Sequence, residues 1–384
     1  MGKNIVLPRL TIFNENYEMY EGIKELLQAL HQEGHKLIVI THQQSSLVIM
    51  TRIFEEVFDF EIACEFRNYI KHNVNAENTK DYILVGSSDD DLYLAVGKKM
   101  LLINPGWSVK KEVLPERYAI TLHSPWQLLE AVRLISNQSE WYFDLDVPEN
   151  TRVLALTSAN TKNYDVNTSE REVLDGFRSA LKSGDRGYFN ALYFHLISGV
   201  MKNPELREVD IWGTFPSSSS TNTNEELEEL KERCRYLTGK RMSKPLFERH
   251  TTVEKSHYTD DEVRLRVGCK KHFDSIVLND FYKQKNRIRG KVVCVLDDYL
   301  TNGISFETAR NLLLEAGARK VILVALGRYR KGPQGIYQHE VYNLSGRITN
   351  PGYNYELVSR QRLVGTYNQE ARNEVRRIHQ ILYG

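Results

Sequence analysis

Apolar residues in the first half of the chain form two kinds of pattern, short continuous runs and longer stretches with a period of three to four residues. The helical period begins after Tyr20 and ends near Gly34, where the glycine is expected to cap a helix. Its apolar positions are Ile23, Leu26, Leu27 and Leu30. We predict a short strand at Leu10–Phe13 before this helix and a buried strand at Lys36–Ile40 after it. A second strand-helix-strand succession, YILVGSSDDDLYLAVGKKMLLINPG, completes the pattern of a parallel sheet covered by helices, which binds ligands at the carboxyl ends of its strands.

The second half of the chain contains a further strand-helix-strand unit. Lys291–Leu296, KVVCVL, is a continuous apolar run of the kind that is buried on both faces of a parallel sheet. Apolar residues then recur at helical spacing up to Gly317, and KVILVALG supplies the next strand. The apolar positions of this helix are Phe306, Ala309, Leu313 and Ala316. The loop between KVVCVL and the helix is therefore expected at the carboxyl edge of the sheet.

The length of 384 residues exceeds what one hydrophobic core usually organises, and the two groups of strand-helix-strand units indicate two domains. We predict an α/β protein with two Rossmann-like parallel-sheet domains, in residues 1–140 and 150–384. Ser136–Asn150 is predicted to be the linker, with a turn marked by Pro148 and Asn150.

The composition is typical of a globular protein, with 41% hydrophobic and 26% charged residues. No stretch of about 18 apolar residues offers a membrane span, and no membrane partner is expected. The segment MGKNIVLPRL lacks the apolar core of a signal peptide, which predicts a cytoplasmic location. The four cysteines form no CxxC spacing, and this argues against a zinc site and against a disulfide framework.

The net charge of +1 hides an asymmetry between the two halves of the chain. Residues 1–150 contain 14 Lys and Arg against 22 Asp and Glu, whereas residues 151–384 contain 37 against 28. The second half therefore favours anionic partners, and both polyphosphate ligands and nucleic acid fit that field.

Polar residues stand at three predicted strand ends in the first half. These positions are Asn14, Asn16, Thr41, Asp89, Asp90 and Asp91. A strand ending in a DxD-type motif, a second strand ending in Thr and a later acidic cluster resemble the haloacid dehalogenase (HAD) phosphatase superfamily across about residues 5–135. In this sequence Asn14 and Asn16 replace the family's nucleophilic and acid/base aspartates, and Ser87 replaces a further Asp. A neutral amide neither attacks phosphorus nor exchanges a proton near pH 7, so the resemblance implies a degenerate domain without phosphatase activity.

Other parts of the HAD pattern have candidates in this sequence. The resemblance implies that Thr41 supplies the phosphate-binding hydroxyl, and that Lys71 or Lys80 supplies the cation. Asp90 and Asp91 belong to a triplet that either holds Mg²⁺ or forms the solvated first turn of a helix, where negative charge suits the dipole.

The stretch VLDDYLTNGIS places two acids at the end of the KVVCVL strand and a small, hydroxyl-rich turn before the next helix. Free backbone N–H groups and the positive end of the helix favour an anion at such a turn. Gly303 permits close backbone approach, and Thr301 and Ser305 add hydroxyl donors. Asp297 and Asp298 would repel a bare nucleotide but accept hydrogen bonds from a sugar diol. The stretch therefore predicts a ribose 5-phosphate ligand.

The same stretch resembles the 5-phosphoribosyl 1-pyrophosphate (PRPP) motif of type I phosphoribosyltransferases, which consists of two acids, two variable residues, Thr-Thr-Gly, one residue, and Thr or Ser. The resemblance implies that Asp297 and Asp298 are the catalytic residues. It implies that the 5-phosphate binds to Thr301, Asn302, Gly303, Ile304 and Ser305. Asn302 replaces the family's Thr, and Tyr299 is bulkier than the usual residue and narrows the site. Helix capping by the two acids is the alternative interpretation.

The resemblance covers about Thr151–Tyr329 and is nearest to the ComF-like branch. LKSGDRGYFNALYFHLISGV matches the Lys-Gly-Asp helix lead-in of that branch, and VDIWGTFPSSSS stands where a strand delivers the pyrophosphate-binding loop. Arg249–Phe273 resembles the mobile hood segment, with Thr252 and Arg266. The implied pyrophosphate-binding residues are Thr214, Phe215, Pro216, Ser217, Ser218, Arg249 and Lys255. The serine run is also typical of a flexible linker.

The resemblance implies a Mg²⁺-dependent phosphoribosyltransferase that uses PRPP to ribosylate an acceptor, with Mg²⁺ chelated by the substrate. HAD-like and phosphoribosyltransferase modules also occur together in bacterial stress-resistance and phage-defence gene clusters, which suggests such a role by analogy. The alternative is a non-catalytic PRPP or nucleotide sensor, or an effector that binds nucleic acid.

The tail after Tyr329 ends in a predicted helix, Ala371–Leu382. Val375, Ile378 and Leu382 form its apolar stripe. The stripe predicts docking on the body of the protein, on a second copy in a homodimer, or on an operon-encoded partner. Interleaved Tyr and Arg residues favour nucleic-acid binding as the alternative.

Overall fold

The computed structural model describes residues 2–137, 141–163, 165–253, 261–331 and 335–383. It is an α/β protein with two six-stranded sheets. The strands of the first sheet are β1 (Asn4–Pro8), β2 (Lys36–Thr41), β3 (Ala63–Phe66), β4 (Tyr82–Val85), β5 (Leu101–Pro105) and β6 (Ile120–Leu122). They are all parallel, in the order β3-β2-β1-β4-β5-β6. The helices of this half are α1 (Arg9–Ile12), α2 (Ile23–Gln32), α3 (Gln44–Val57), α4 (Arg67–Asn73), α5 (Asp89–Lys98), α6 (Val113–Tyr118) and α7 (Pro125–Ser136).

The first strand lies earlier than the sequence pattern predicts. The predicted strand Leu10–Phe13 is wrong, because most of it lies in the short helix α1, which the Phe13 amide closes by donating to the Arg9 carbonyl at 2.9 Å. The strand is Asn4–Pro8, whose three central residues have no exposed surface between β2 and β4. Both segments are equally apolar, so only pairing with the neighbouring strands distinguishes them.

Other predicted elements of the first half are confirmed. The helix after Tyr20 is α2, and the strand after it is β2. Gly34 lies between them with φ of +79°, a conformation that glycine adopts without steric cost. The second predicted unit forms β4, α5 and β5.

The second sheet is mixed. Its strands are β7 (Phe143–Val147), β8 (Thr151–Ser158), β9 (Ile211–Thr214), β12 (Val292–Leu300), β13 (Lys320–Arg328) and β16 (Thr366–Tyr367). The order is β16-β7-β8-β13-β12-β9. The four strands from β8 to β9 are parallel, and β7 pairs antiparallel with both β8 and β16. The larger helices around it are α8 (Thr168–Ser183), α9 (Phe189–Lys202), α11 (Glu225–Leu237), α15 (Ile304–Glu315) and α16 (Glu370–Tyr383).

The predicted linker Ser136–Asn150 is partly wrong, because its second half contains β7. This strand pairs antiparallel with β8, from Val147 opposite Thr151 to Phe143 opposite Ala155. The predicted turn is the hairpin between the two strands, in which Asn150 has a φ of +53°. β7 has the sequence FDLDV, in which apolar and polar residues alternate because one face is buried, so it lacks the continuous apolar run on which the prediction of the other strands rests.

Smaller elements surround the second sheet. They are α10 (Pro204–Arg207), β10 (Phe247–Arg249), α12 (Asp261–Val267), α13 (Lys270–Phe273), β11 (Ile276–Leu278), α14 (Asp280–Lys283), β14 (Tyr337–Ser345) and β15 (Asn354–Leu363). Strands β10 and β11 form one antiparallel pair, and β14 and β15 form another.

The C-terminal helix docks on the body of the protein, as one of the predictions states. α16 contacts α7 of the first half and α8 and α9 of the second, and Val375 and Ile378 are buried in the shared core. The Glu170 carboxylate, which has no exposed surface, accepts hydrogen bonds from Arg372 at 2.6 Å and Arg376 at 2.8 Å. Two arginines of the tail are therefore engaged within the chain.

Candidate functional site

The predicted acid pair lies at the carboxyl end of β12. This strand pairs with β13 as far as Leu300 but with β9 only as far as Leu296, opposite Thr214. On the β9 side, Asp297 accepts a hydrogen bond from the Asp298 amide at 2.9 Å. Asp298 accepts one from the Tyr299 amide at 2.6 Å. Both carboxylates thus stand where two neighbouring strands separate, and each retains a second oxygen for another partner.

Two cations flank the acid pair. The Lys182 ammonium, from the last turn of α8, forms an ion pair with Asp298 and lies 5.5 Å from the centre of the Tyr299 ring. The positive charge of Arg249 acts on Asp297. No role for Lys182 follows from its sequence position, although it belongs to the LKSGDR stretch that carries the resemblance. The ion pair with Asp298 joins positions 116 residues apart in the chain.

The environment of Asp297 disfavours its charged form. Burial raises the pKa of this carboxyl well above its ordinary value, and the neighbouring charge of Asp298 raises the pKa further. Lys182 and Arg249 act in the opposite direction. Burial lowers the pKa of the Arg249 guanidinium to about 10, against the attraction of Asp297.

We expect the free energy of unfolding of the wild-type protein to decrease as pH rises, because of the proton held by Asp297. An unfolded chain releases the Asp297 proton near about pH 4, whereas the folded chain holds the proton until the pH reaches the raised pKa. Between these values the folded chain binds more protons, so the free energy of unfolding decreases as pH rises. Urea denaturation at about pH 4.5 and pH 7 should show a smaller decrease for Asp297→Asn than for the wild type. Equal decreases would contradict the raised pKa.

The predicted phosphate turn lies at the amino end of α15. Gly303 has a φ of +88° and precedes the helix, whose first turn contains Ile304 and Ser305. The first N–H groups of a helix have no intrahelical acceptor, which favours an anion. Asn302 is more than nine-tenths buried, and its Nδ2 has no partner within the part of the chain that the structure describes. The turn therefore offers a buried side-chain donor together with backbone donors.

Residues of β13 and β14 hold this turn. The guanidinium of Arg328, which is fully buried, donates to the carbonyl of Thr301. The backbone N–H of Gln338 donates to the backbone carbonyl of Asn302 at 2.9 Å. The ring of Tyr337 lies where a side chain on Gly303 would be, and its hydroxyl donates to the buried Glu307 at 2.7 Å. These residues follow the motif at a distance and belong to no recognisable motif of their own.

The predicted pyrophosphate loop leaves β9 directly beside the acid pair. The Phe215 amide donates to the Leu296 carbonyl at 2.8 Å, which fixes the start of the loop against β12. The Thr214 hydroxyl donates to Glu228, and the Phe215 side chain is buried. The Ser217 hydroxyl donates to the backbone carbonyls of Ser219 and Asn222, so the loop is held by its own hydrogen bonds, with Ser217 and Ser218 half-buried.

The hood segment contacts this loop from the other side. Arg249 donates to the Ser217 carbonyl and to the Ser275 hydroxyl, the latter at 2.7 Å. Its side chain therefore joins the loop to the residue before β11. The Thr252 hydroxyl accepts a hydrogen bond from the Ser220 amide at 3.1 Å. Arg266 is exposed on α12. The predicted Lys255 lies outside the described residues.

The residues predicted to form a degenerate HAD-like site are engaged in internal contacts. The side-chain Nδ2 of Asn14 donates to the Glu18 carboxylate at 2.7 Å, and its side-chain Oδ1 accepts from the backbone N–H of Asn16 at 2.9 Å. The Thr41 hydroxyl accepts from the Gln43 amide at 3.2 Å. Lys71 and Lys80 are exposed.

The acidic triplet forms the first turn of α5, as one of the two interpretations states, but the turn is not solvated throughout because Asp91 is buried. Asp91 and Ser88 form a capping box, and the buried Arg67 donates to the Asp91 carboxylate at 2.7 Å. Asp90 is exposed, and its Oδ2 lies 3.8 Å from the Nε2 of His42. A guanidinium therefore supplies the positive charge beside Asp91.

Replacing Arg67 by Met should lower the free energy of unfolding by about 3 kcal/mol, because the buried Asp91 carboxylate loses its partner. Arg52→Met is the matched control, since it removes an exposed ion pair with Glu56 and should cost about 0.5 kcal/mol or less. Denaturant unfolding measures both. Equal losses would mean that the Arg67 pair contributes no more than a surface pair.

Comparisons with protein-family models, with curated proteins and with solved structures found no match to this chain. Within the described ranges, no group of three His, Cys, Asp or Glu side chains is arranged to hold a metal ion. The same ranges contain no helix with the length and apolar character needed to cross a membrane. The functional assignment therefore depends on the geometry of the acid pair and the turn.

Proposed function

We propose that this chain is a Mg²⁺-dependent phosphoribosyltransferase that transfers ribose 5-phosphate from PRPP to an acceptor. One observation carries the proposal. The acid pair Asp297 and Asp298 stands at a parallel strand end, between the loop that begins at Thr214 and the turn before α15, where the Nδ2 of Asn302 has no partner among the described residues. A sugar with a phosphate at one end and a pyrophosphate at the other fits this order of groups.

The turn is the proposed site of the 5-phosphate. The backbone N–H groups of Ile304 and Ser305 and the Nδ2 of Asn302 supply donors, and the helix dipole adds positive potential. Arg328 and the Tyr337 ring fix the turn before substrate arrives, which reduces the ordering cost of binding.

The acid pair is the proposed site of the ribose hydroxyls. Departure of pyrophosphate leaves positive charge on the sugar, and two carboxylates close to the ring stabilise that charge. Lys182 neutralises Asp298 before the substrate binds, and the ribose hydroxyls then take its place as hydrogen-bond donors. The raised pKa of Asp297 favours one negative charge on the pair in the free protein.

Mg²⁺ fits this site as part of the substrate. The acid pair offers hard oxygen atoms, but it lacks the third ligand of a resident metal centre among the described residues. Chelated by the diol and the pyrophosphate, Mg²⁺ supplies charge stabilisation for the leaving group. The loop at Ser217 and Ser218 supplies backbone donors to the same group.

The first half is proposed to be a degenerate HAD-like domain that acts as a scaffold. The positions of the family's nucleophilic and acid/base aspartates hold Asn14 and Asn16, and Arg67 neutralises Asp91. The contacts of α16 with α7 join this half to the proposed transferase. No phosphatase step follows from this arrangement.

The test is release of pyrophosphate from PRPP. The protein, PRPP and Mg²⁺ are incubated with and without cell extract, and pyrophosphate is measured. We expect release that depends on the extract, and mass spectrometry of the ribosylated product then identifies the acceptor. Absence of both release and PRPP binding would overturn the proposal.

A second candidate is a PRPP sensor without turnover. The observation that favours it is the ion pair of Lys182 with Asp298, which neutralises one of the two carboxylates in the free protein. PRPP binding without pyrophosphate release would support the sensor. Salt-sensitive binding of nucleic acid instead would favour the effector hypothesis.

A further inference from the structure

The second half contains a cavity of about 210 Å³ at a distance from the acid pair in the fold. It lies between β7, β8, α9 and α16. Its walls include Trp141, Arg152, Leu156, His195, Gly199 and Glu374. None of the described residues that line it belongs to the acid pair, the turn or the pyrophosphate loop. The cavity is therefore a separate candidate site.

His195 presents an unsatisfied hydrogen-bond acceptor at this cavity. The side chain is 3% exposed, and its Nε2 has no partner within the described part of the chain. The backbone of Leu156 is the hydrogen-bond partner of the ring, which leaves the Nδ1 as the donor to that carbonyl and the Nε2 with a lone pair. Burial lowers the pKa of His195 to about 4, so the ring is neutral near pH 7. A buried acceptor of this kind is stabilised by a donor from a ligand.

The lining of the cavity is partly apolar. Trp141 and Leu156 contribute apolar side chains, and the indole of Trp141 packs against Gly199, where an added Cβ atom would lie 3.2 Å from its Cζ2. A cavity of about 150 Å³ is sufficient for benzene in another protein. The cavity beside His195 therefore has room for two fused rings, which can pack against the indole of Trp141.

The charged groups of the lining balance one another. Arg152 and Lys202 are cationic, Asp144 and Glu374 are anionic, and all four line the cavity. Arg152 is already paired with Asp144, with an Nε to Oδ1 distance of 2.9 Å. Among the described residues of the lining, two charges of each sign give no preference for a net charge, which favours an uncharged ligand.

We propose that this cavity binds an uncharged bicyclic nitrogen heterocycle of indole or purine size, whose ring N–H donates a hydrogen bond to Nε2 of His195 while its plane packs against Trp141. The proposal is independent of the transferase reaction, because it uses none of the residues that would bind PRPP. Indole and purine rings share the required chemistry, and the experiment distinguishes them.

The test compares isomers on the wild-type protein by titration calorimetry. 3-Methylindole and 1-methylindole have the same size, but only the first has an N–H, and 6-methylpurine and 9-methylpurine form the corresponding purine pair. We expect the N–H isomer of at least one pair to bind about tenfold or more tightly than its partner, as one buried hydrogen bond requires. The pair with the tighter N–H isomer identifies the class of ligand. Equal affinities within both pairs, or no binding, would overturn the proposal.

A variant then locates the hydrogen bond. His195→Leu should remove the preference for the N–H isomer, whereas His123→Leu, which changes an exposed histidine, should retain it. Circular dichroism checks that each variant is folded. A preference that persists in folded His195→Leu would overturn the assignment to His195. If His195→Leu does not fold, the isomer comparison on the wild-type protein decides alone.

Discussion

Asp298→Asn should reduce the rate of pyrophosphate release from PRPP by roughly a hundredfold or more, which corresponds to about 3 kcal/mol of transition-state stabilisation. The substitution keeps the shape of the side chain but removes its negative charge. Positive charge on the sugar develops only as pyrophosphate departs, so the loss should fall mainly on kcat rather than on KM. Initial rates at saturating and low PRPP concentrations measure the two parameters.

Asp146→Asn is the matched control for this experiment. Asp146 is exposed on β7 of the same sheet, and its replacement changes the net charge of the protein equally. Its rate should stay within about twofold of wild type, as is usual for surface substitutions. Unchanged turnover in Asp298→Asn would contradict the catalytic role of the acid pair.

Gly303→Ala should disrupt the phosphate turn and lower the free energy of unfolding by about 3 kcal/mol. An alanine at a φ of +88° is strained, and its Cβ atom would overlap the ring of Tyr337. The ring cannot move easily, because it has no exposed surface and its hydroxyl donates to Glu307. PRPP affinity should fall by about tenfold or more, since the donors at the start of α15 are displaced.

Gly290→Ala separates backbone strain from the contact with Tyr337. Gly290 has a φ of +74°, but no atom lies within 4 Å of the position of an added Cβ. This variant should lose about 1 kcal/mol of stability and retain PRPP affinity. Urea denaturation and calorimetry provide the two measurements. Equal losses in the two variants would mean that the Tyr337 contact does not hold the turn.

The sequence predicts the elements whose signal is local. The KVVCVL run becomes part of β12, the helical spacing after it becomes α15, and Gly317 adopts a φ of +88° at the end of that helix. The carboxyl-edge position of Asp297 and Asp298 also follows, because a parallel sheet places strand ends on one side. The strand β1 could not be located, because partners distant in sequence decide its pairing, and β7 could not, because its five residues alternate and form no continuous apolar run.

The candidate site could be predicted only in part for the same reason. The motif gives the acids and the turn, but Lys182 reaches Asp298 across 116 positions, and Arg328 reaches Thr301 across 27. The Tyr337 ring and the Gln338 amide come from a hairpin with no recognisable motif. Only the folded chain shows that Arg249 donates a hydrogen bond to the Ser217 carbonyl and that its charge acts to lower the pKa of Asp297.

The most direct measurement is the crystal structure of the protein with PRPP and Mg²⁺. We predict the 5-phosphate within about 3 Å of the backbone N–H groups of Ile304 and Ser305 and of the Nδ2 of Asn302. We predict the ribose hydroxyls on the carboxylates of Asp297 and Asp298, with Lys182 released from Asp298. PRPP bound elsewhere, or an intact ion pair between Lys182 and Asp298 at saturating PRPP, would contradict the account.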